Sequence, residues 1–242
     1  MKFLEQPQLE MLTSFLSNRE IGDRILNGRI EAFSCKRAGE DKRLSKMLEQ
    51  QYVDELACSP TALGSSPLGP LSDSGTRRLL IDLISTMNAS FPDHDFSSVR
   101  PEQFLKEQHV SLVMSNINMH LAELSETYNS SFLEELWMSI EEVVKLKECE
   151  IYSYVPDMEE DPFSEGNLWT FNFFFFNKNL KRILYFTCIA TSKYNPEISA
   201  SQQSVVHMGE EEVEEEFMEG DGMGADMGGD DMNMTGEWEE EV

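Results

Sequence analysis

Residues 168–191 constrain the fold more than any other stretch. They read LWTFNFFFFNKNLKRILYFTCIAT, with one Trp and five Phe between positions 169 and 176. Successive side chains of a strand face opposite sides of a sheet. Trp169, Phe171, Phe173 and Phe175 therefore point one way, and Leu168, Phe174 and Phe176 the other. Beyond the NKNLKR turn, Ile183, Tyr185 and Ile189 oppose Leu184, Phe186 and Cys188. A hairpin apolar on both faces belongs at the centre of a sheet, with helices covering each side. Left exposed, FNFFFF would template aggregation.

The rest of the chain supplies those covers. Leu4, Leu9, Leu12 and Leu16 predict a short helix over residues 5–18. Asn27-Gly28 tolerates positive φ at two successive positions and predicts a hairpin turn into a strand over 29–36. TRRLLIDLISTMNASF carries a stripe of Leu79, Leu80, Leu83, Ile84 and Met87. Further helices fit 109–126 and 132–147, the latter opened by Ser131 with Glu134 in a capping-box arrangement. The period then drops to two in CEIYSYV, a strand over 149–155. Residues 46–76 form an insertion that ends in the Ser/Pro/Gly-rich ACSPTALGSSPLGPLSDSGT, and this part is expected to be flexible. The expected fold is α+β: a central antiparallel sheet of about four or five strands with helices on both faces. It is built from residues 1–45 and 77–193 as one discontinuous domain.

Charge separates the tail from this domain. The chain of 242 residues has a formal charge of −26, yet no Lys or Arg follows Lys193, and residues 194–242 hold 16 of the 45 acids. Rich in Glu, Gly and Met, that segment cannot bury enough apolar area to offset chain entropy, and disorder is expected. The balance argues against direct gripping of nucleic acid, which needs cations to displace counterions. Four scattered cysteines form no C-x-x-C pair, which points away from a zinc cluster and toward a reducing compartment. Glu5, Pro7 and Glu10 interrupt the N-terminus where a signal peptide needs an apolar run. No stretch is long and apolar enough for a membrane span.

Catalytic motifs are missing: there is no P-loop, nucleophile elbow, dinucleotide fingerprint or H-E-x-x-H. DMEEDPF gathers Asp157, Glu159, Glu160 and Asp161, which could hold Mg²⁺ only with ligands converging from other elements. Closed by Pro162-Phe163, it reads better as a docking loop. Bases are scarce, so Lys36, Arg37, Lys42 and Arg43 stand out, as do Lys178, Lys181 and Arg182 at the hairpin tip. Ser59-Pro60 and Ser66-Pro67 are proline-directed phosphorylation patterns, and Lys42-Arg43-Leu44-Ser45 is a basophilic one. A phosphate adds about −1.5 to −2 charge and could neutralise a nearby basic patch.

Three segments together resemble a known family. RIEAFSCKRAGEDK, IYSYVPDMEEDPFSEGNLWTFNFFFFNKNLKRI and the acidic tail are similar to the eukaryotic Maf-type repressors of RNA polymerase III transcription. That resemblance implies a non-enzymatic protein without cofactors. Such a protein binds RNA polymerase III, and in some members initiation factor IIIB, and blocks assembly at promoters. It also implies that kinases of the TOR pathway or its relatives phosphorylate the insertion and that a phosphatase reverses this. The protein would then move between cytoplasm and nucleus. Carried over by position, Ser59 and Ser66 are expected phosphorylation sites, and Lys36, Asp157 and Asp161 partner-binding residues; the basophilic pattern adds Ser45 to the first set and the docking-loop reading adds Phe163 to the second. Lys178, Lys181 and Arg182 match a basic import-like segment. The competing readings are an acidic-tailed histone chaperone and a metal-dependent phosphoesterase using Asp157 and Asp161.

Overall fold

The computed structural model describes residues 1–36, 39–58, 66–155, 163 and 166–194. Arg37, Ser59, Asp157, Asp161 and the acidic tail beyond Tyr194 lie outside them. The described elements, in chain order, are β1 (Lys2–Phe3), α1 (Pro7–Leu16), β2 (Arg19–Ile21), β3 (Arg24–Ser34), α2 (Glu40–Cys58), α3 (Ser74–Ser90), β4 (Phe104–Glu107), α4 (Val110–Tyr128), α5 (Phe132–Val144), β5 (Glu150–Tyr154), β6 (Asn167–Asn177) and β7 (Arg182–Ser192). Seven strands form one sheet in the order β1-β3-β7-β6-β5-β4, with β2 also paired to β3, and every pairing is antiparallel. The fold is α+β, and β6 and β7 are its centre, as the two-faced alternation requires.

Each face of that hairpin meets its own helical layer. On one side α1, α4 and α5 pack against Phe171, Phe173, Phe175, Leu184, Phe186 and Cys188. On the other, α2 and α3 pack against Phe33, Tyr152, Phe174, Ile183 and Tyr185. Phe174, Phe175, Tyr185 and Phe186 lose all solvent exposure. Burial of each such Phe contributes about 1.5–3 kcal/mol before entropy is counted. From Leu79 to Met87 every residue of α3 is buried, so this helix is core rather than cover. The exception to strict alternation is Leu168. A register shift between Asn167 and Trp169 takes it out of the pleat and leaves it exposed.

Three sequence expectations need correction. Asn27-Gly28 makes no turn: β3 runs through it, pairing Asn27 with Ile189 and Gly28 with Cys188. The turn lies instead at Gly22-Asp23, where Gly22 takes φ +58° between Ile21 and its partner Arg24. Gly28 serves packing, because a Cβ there would stand 2.9 Å from both Cβ and Cδ1 of Leu16 on α1. Asn27 is spoken for as well, its Oδ1 accepting from the Asn18 amide at 2.8 Å.

The described parts of the insertion, 46–58 and 66–76, are more ordered than their composition suggests. Residues 46–58 continue α2, with Leu48 and Tyr52 buried against α3 and its neighbours. Residues 66–76 also pack: Leu71 is fully buried, and Asp73 caps α3 by accepting from the Gly75 amide at 3.1 Å. Two leucines among the serines and prolines suffice to seat this segment on the core. Ser131, finally, forms no capping box: its hydroxyl lies 2.6 Å from Glu135 Oε1 and 2.8 Å from Asn129 Oδ1, alternative acceptors for its one proton.

Gly28→Ala is expected to destabilise the domain by about 1–3 kcal/mol through overpacking against Leu16. Chemical denaturation of the variant beside wild type measures this.

Candidate functional site

The termini of four elements converge at one end of the sheet. β3 exits through Cys35, whose amide donates to the Lys181 carbonyl at 2.9 Å and so ties the strand end to the tip of the β6–β7 hairpin. This contact places Lys36 beside Lys178 and Lys181, residues more than 140 positions away in the chain. The N-terminus of α3 with Arg78, and Lys106 of β4, complete the wall of a cavity of about 860 Å³ floored by Tyr152 and Phe176. Leu68, from the end of the insertion, borders it too. Thus Lys36 of the first basic patch and Lys178 and Lys181 of the second share one pocket with part of the segment carrying the Ser-Pro patterns.

Its electrostatics are uneven. Lys106 Nζ lies 2.6 Å from Glu150 Oε1 and 5.8 Å from the Tyr152 ring centroid. That hydrogen bond holds the Glu150 carboxyl below the usual carboxylate range, with Lys178 adding a smaller pull. Burial, reinforced by Glu150, pushes the Tyr152 phenol well up, so it stays neutral and donates to Glu150 Oε2 at 3.1 Å. Lys36, Lys178 and Lys181 form no ion pair among the described residues. All three are exposed.

Arg182 does not belong with them. It is half-buried, and its Nη1 donates to the Val143 carbonyl at 3.0 Å, in the last turn of α5. Beside it the fully buried Asn177 donates from Nδ2 to the Val144 carbonyl at 2.8 Å and accepts from the Leu180 amide at 2.9 Å. Cations favour helix C-termini, where carbonyls lack partners. Arg182 is therefore a structural clamp and is not one of the exposed cations of the hairpin tip.

The other flagged residues scatter. Phe163 is buried, stacked on Phe96 with ring centroids 5.9 Å apart and edge-on to Phe91. Its ring is part of the core. Phe91 follows the C-terminus of α3, so Phe163 lies roughly 14 Å along the helix from Asp82, the nearest residue of α3 that lines the pocket, given 1.5 Å per residue. Ser45 is also buried, on α2, and a kinase would need that turn to open. Ser66 is half-buried, its hydroxyl donating to the Gly69 carbonyl at 2.5 Å.

Sequence reading missed a polar seam beneath α3. Asn172, Thr187, Ser85 and Ser90 are all buried, and Tyr185 donates to Asn172 Oδ1 at 2.7 Å. Arg29 donates to the Ser90 carbonyl at the end of α3, and its guanidinium lies 4.9 Å from the Phe91 ring centroid. Burial raises the Glu31 carboxyl above its ordinary value of 4.5, partly offset by the nearby Ser90 hydroxyl and Arg29. Even so, neither Glu31 Oε2 nor Ser90 Oγ completes a hydrogen bond of good geometry. A signal existed: Arg29, Glu31, Asn172 and Thr187 are polar at strand positions whose face is otherwise apolar. A separate groove of about 780 Å³ between α4 and α5 is lined mainly by apolar groups, including Trp137, Met138 and Leu146. Among the described residues no cluster of His, Cys, Asp or Glu could hold a metal ion.

The profile of the Maf1 regulator family matches residues 26–187. A Dictyostelium discoideum protein named repressor of RNA polymerase III transcription is 36% identical over 240 residues, covering 80% of this chain and 86% of its own length. A Schizosaccharomyces pombe protein, repressor of RNA polymerase III transcription maf1, is 37% identical over 195 residues, covering 76% and 81%. The crystal structure of citrus MAF1 in space group P 31 2 1 superposes with a TM-score of 0.61 at 37% identity, covering 78% of this chain and 99% of that one.

Arg182→Met is expected to cost about 1.5–3 kcal/mol, the range for a hydrogen bond to a charged group. Lys178→Met and Lys181→Met should each stay within about 0.5 kcal/mol of wild type. Glu31 gives a pH signature. Its raised folded value means that its contribution to stability is fully present below pH 4.5 and is lost as pH rises through the folded value. Glu31→Gln should therefore gain stability relative to wild type between pH 4 and pH 7, read as a difference in melting temperature.

Proposed function

The chain belongs to the Maf1 regulator family, and from that premise we propose that it represses transcription by RNA polymerase III by binding the polymerase. The observation that carries this reading is the family match over residues 26–187, which spans the first basic segment, the loop around Phe163 and the aromatic hairpin. Two relatives that cover most of this chain bear the repressor name. Docking is steric: the folded domain occupies the surface that the promoter-bound initiation factor IIIB needs. The acidic loop containing Asp157 and Asp161 meets basic polymerase surface, while Lys36 and the hairpin tip meet acidic surface. Such charge complementarity governs encounter rate and partner choice more than affinity, and it weakens with salt.

Phosphorylation of the insertion supplies the switch in this reading. Leu68 borders the cationic pocket, and Ser66 lies two residues before it. A phosphate there adds about −1.5 to −2 charge beside Lys178 and Lys181 and blocks the contact they make. It also displaces the Ser66 hydroxyl from the Gly69 carbonyl and so loosens the segment. Kinases of the TOR pathway or their relatives act on Ser59 and Ser66, a phosphatase reverses them, and the protein shuttles between cytoplasm and nucleus accordingly.

Purified dephosphorylated protein is expected to retain RNA polymerase III in a pull-down and to lower transcription from a transfer-RNA template. Lys36→Glu/Lys178→Glu/Lys181→Glu and Ser59→Glu/Ser66→Glu should each weaken both several-fold without lowering the melting temperature. Wild-type protein that neither binds the polymerase nor lowers transcription would sink the proposal. Deleting residues 195–242 separates the histone-chaperone alternative, because a chaperone loses histone binding on that truncation whereas polymerase retention survives.

A further inference from the structure

We propose that the pocket between β3, the β6–β7 tip and α3 is a binding site for a small oligophosphate, a compact scaffold carrying several phosphates. The inference starts from an imbalance. The chain carries a net charge of −26, so no long-range attraction draws anions to it. Yet Lys36, Arg78, Lys106, Lys178 and Lys181 line one cavity, against the carboxylates of Asp73, Asp82 and Glu150. At physiological salt the Debye length is about 8 Å, so the remote acids are screened and the local surplus of positive charge decides what enters.

Glu150 and Asp73 are already engaged. Glu150 holds Lys106 and accepts from Tyr152, and Asp73 caps α3. Lys36, Lys178 and Lys181 have no such partner among the described residues, and the backbone bond from Cys35 to Lys181 fixes them as neighbours. Three ammonium groups brought together would repel one another. Their proximity is tolerable in water and becomes favourable once an anion bridges them.

Size and chemistry narrow the ligand. A cavity of about 860 Å³ lies within the range of small-molecule sites and is far larger than one phosphate requires. Lysine ammoniums act as point-charge donors to phosphate. The cations occupy different walls, from the strand exit, the hairpin tip, β4 and the first turns of α3. Lys36 on the strand exit and Lys178 and Lys181 on the hairpin tip come from separate segments, and a scaffold carrying several phosphates suits such a set. Tyr152 and Phe176 give that scaffold an apolar floor.

The test uses the full chain, without polymerase, so its result is independent of the repression proposal. Inositol hexakisphosphate, tripolyphosphate and ATP are titrated separately by calorimetry at 0.15 M salt, with sodium sulfate at matched ionic strength as control. The expected result is saturable binding of at least one of the three with one ligand per chain, and a melting temperature that climbs with its concentration. Lys36→Gln/Lys178→Gln/Lys181→Gln should weaken that binding by more than about tenfold through lost charge-assisted contacts. Arg182→Lys, at the neighbouring clamp, should leave it nearly unchanged. Vesicles containing phosphatidylinositol 4,5-bisphosphate identify the source. Retention that the triple variant abolishes assigns a lipid headgroup, and soluble binding without retention assigns a free ligand. Absence of saturable binding in every arm, several ligands per chain, or equal affinity in a folded triple variant would overturn the proposal.

Discussion

Burial of both faces of the β6–β7 hairpin is the constraint on which the rest of the molecule depends. Phe171, Phe173 and Phe175 must be covered from one side and Phe174, Ile183 and Tyr185 from the other. One layer of helices would leave half of that surface in water. The chain answers with α1, α4 and α5 on one face and α2 and α3 on the other, which produces a three-layer arrangement around strands of eleven residues. The two helices between β3 and β4 cover one face, and α1 together with the consecutive pair α4 and α5 closes the other.

The same hairpin also organises the cationic site, through its tip. Asn177 and Arg182 bind the last carbonyls of α5 and hold the turn in place, while Lys178 and Lys181 between them remain exposed. Of four polar side chains in NKNLKR discussed above, two are spent on structure and two are available for function. The strand exit at Cys35 is bonded to that same turn, so Lys36 inherits its position from the tip. Phe163 illustrates the opposite case. A residue flagged by its motif proves to be an anchor, because aromatic neighbours at the end of α3 take its ring.

Local pattern was a sound guide wherever one interaction dominated. The helices at Ser74–Ser90, Val110–Tyr128 and Phe132–Val144 follow their apolar stripes, and the faces of β6 and β7 follow strict alternation. It misled where one residue type serves two purposes. Gly28 permits a turn, but it equally permits the close approach of Leu16, and only the position of α1 chooses between them. Residues 46–58 have no strong stripe, yet Leu48 and Tyr52 find a buried seat on α3. The polar seam of Glu31, Asn172, Thr187 and Ser90 went unread because each residue looked like an isolated exception within its own strand or helix.

By itself, the sequence determined that this chain must form a covered central hairpin, that its acids concentrate after Lys193, and that it carries the Maf1 pattern. Those properties depend on neighbours along the chain, where side-chain period and composition are directly legible. Tertiary structure alone decided that Lys36, Lys178 and Lys181 share one pocket, that Arg182 leaves that set, and that Phe163 turns inward. Each of those outcomes is settled by contacts between distant segments. The strand pairing that brings Ser34 opposite Arg182 is the step that turns two separate basic runs into one site.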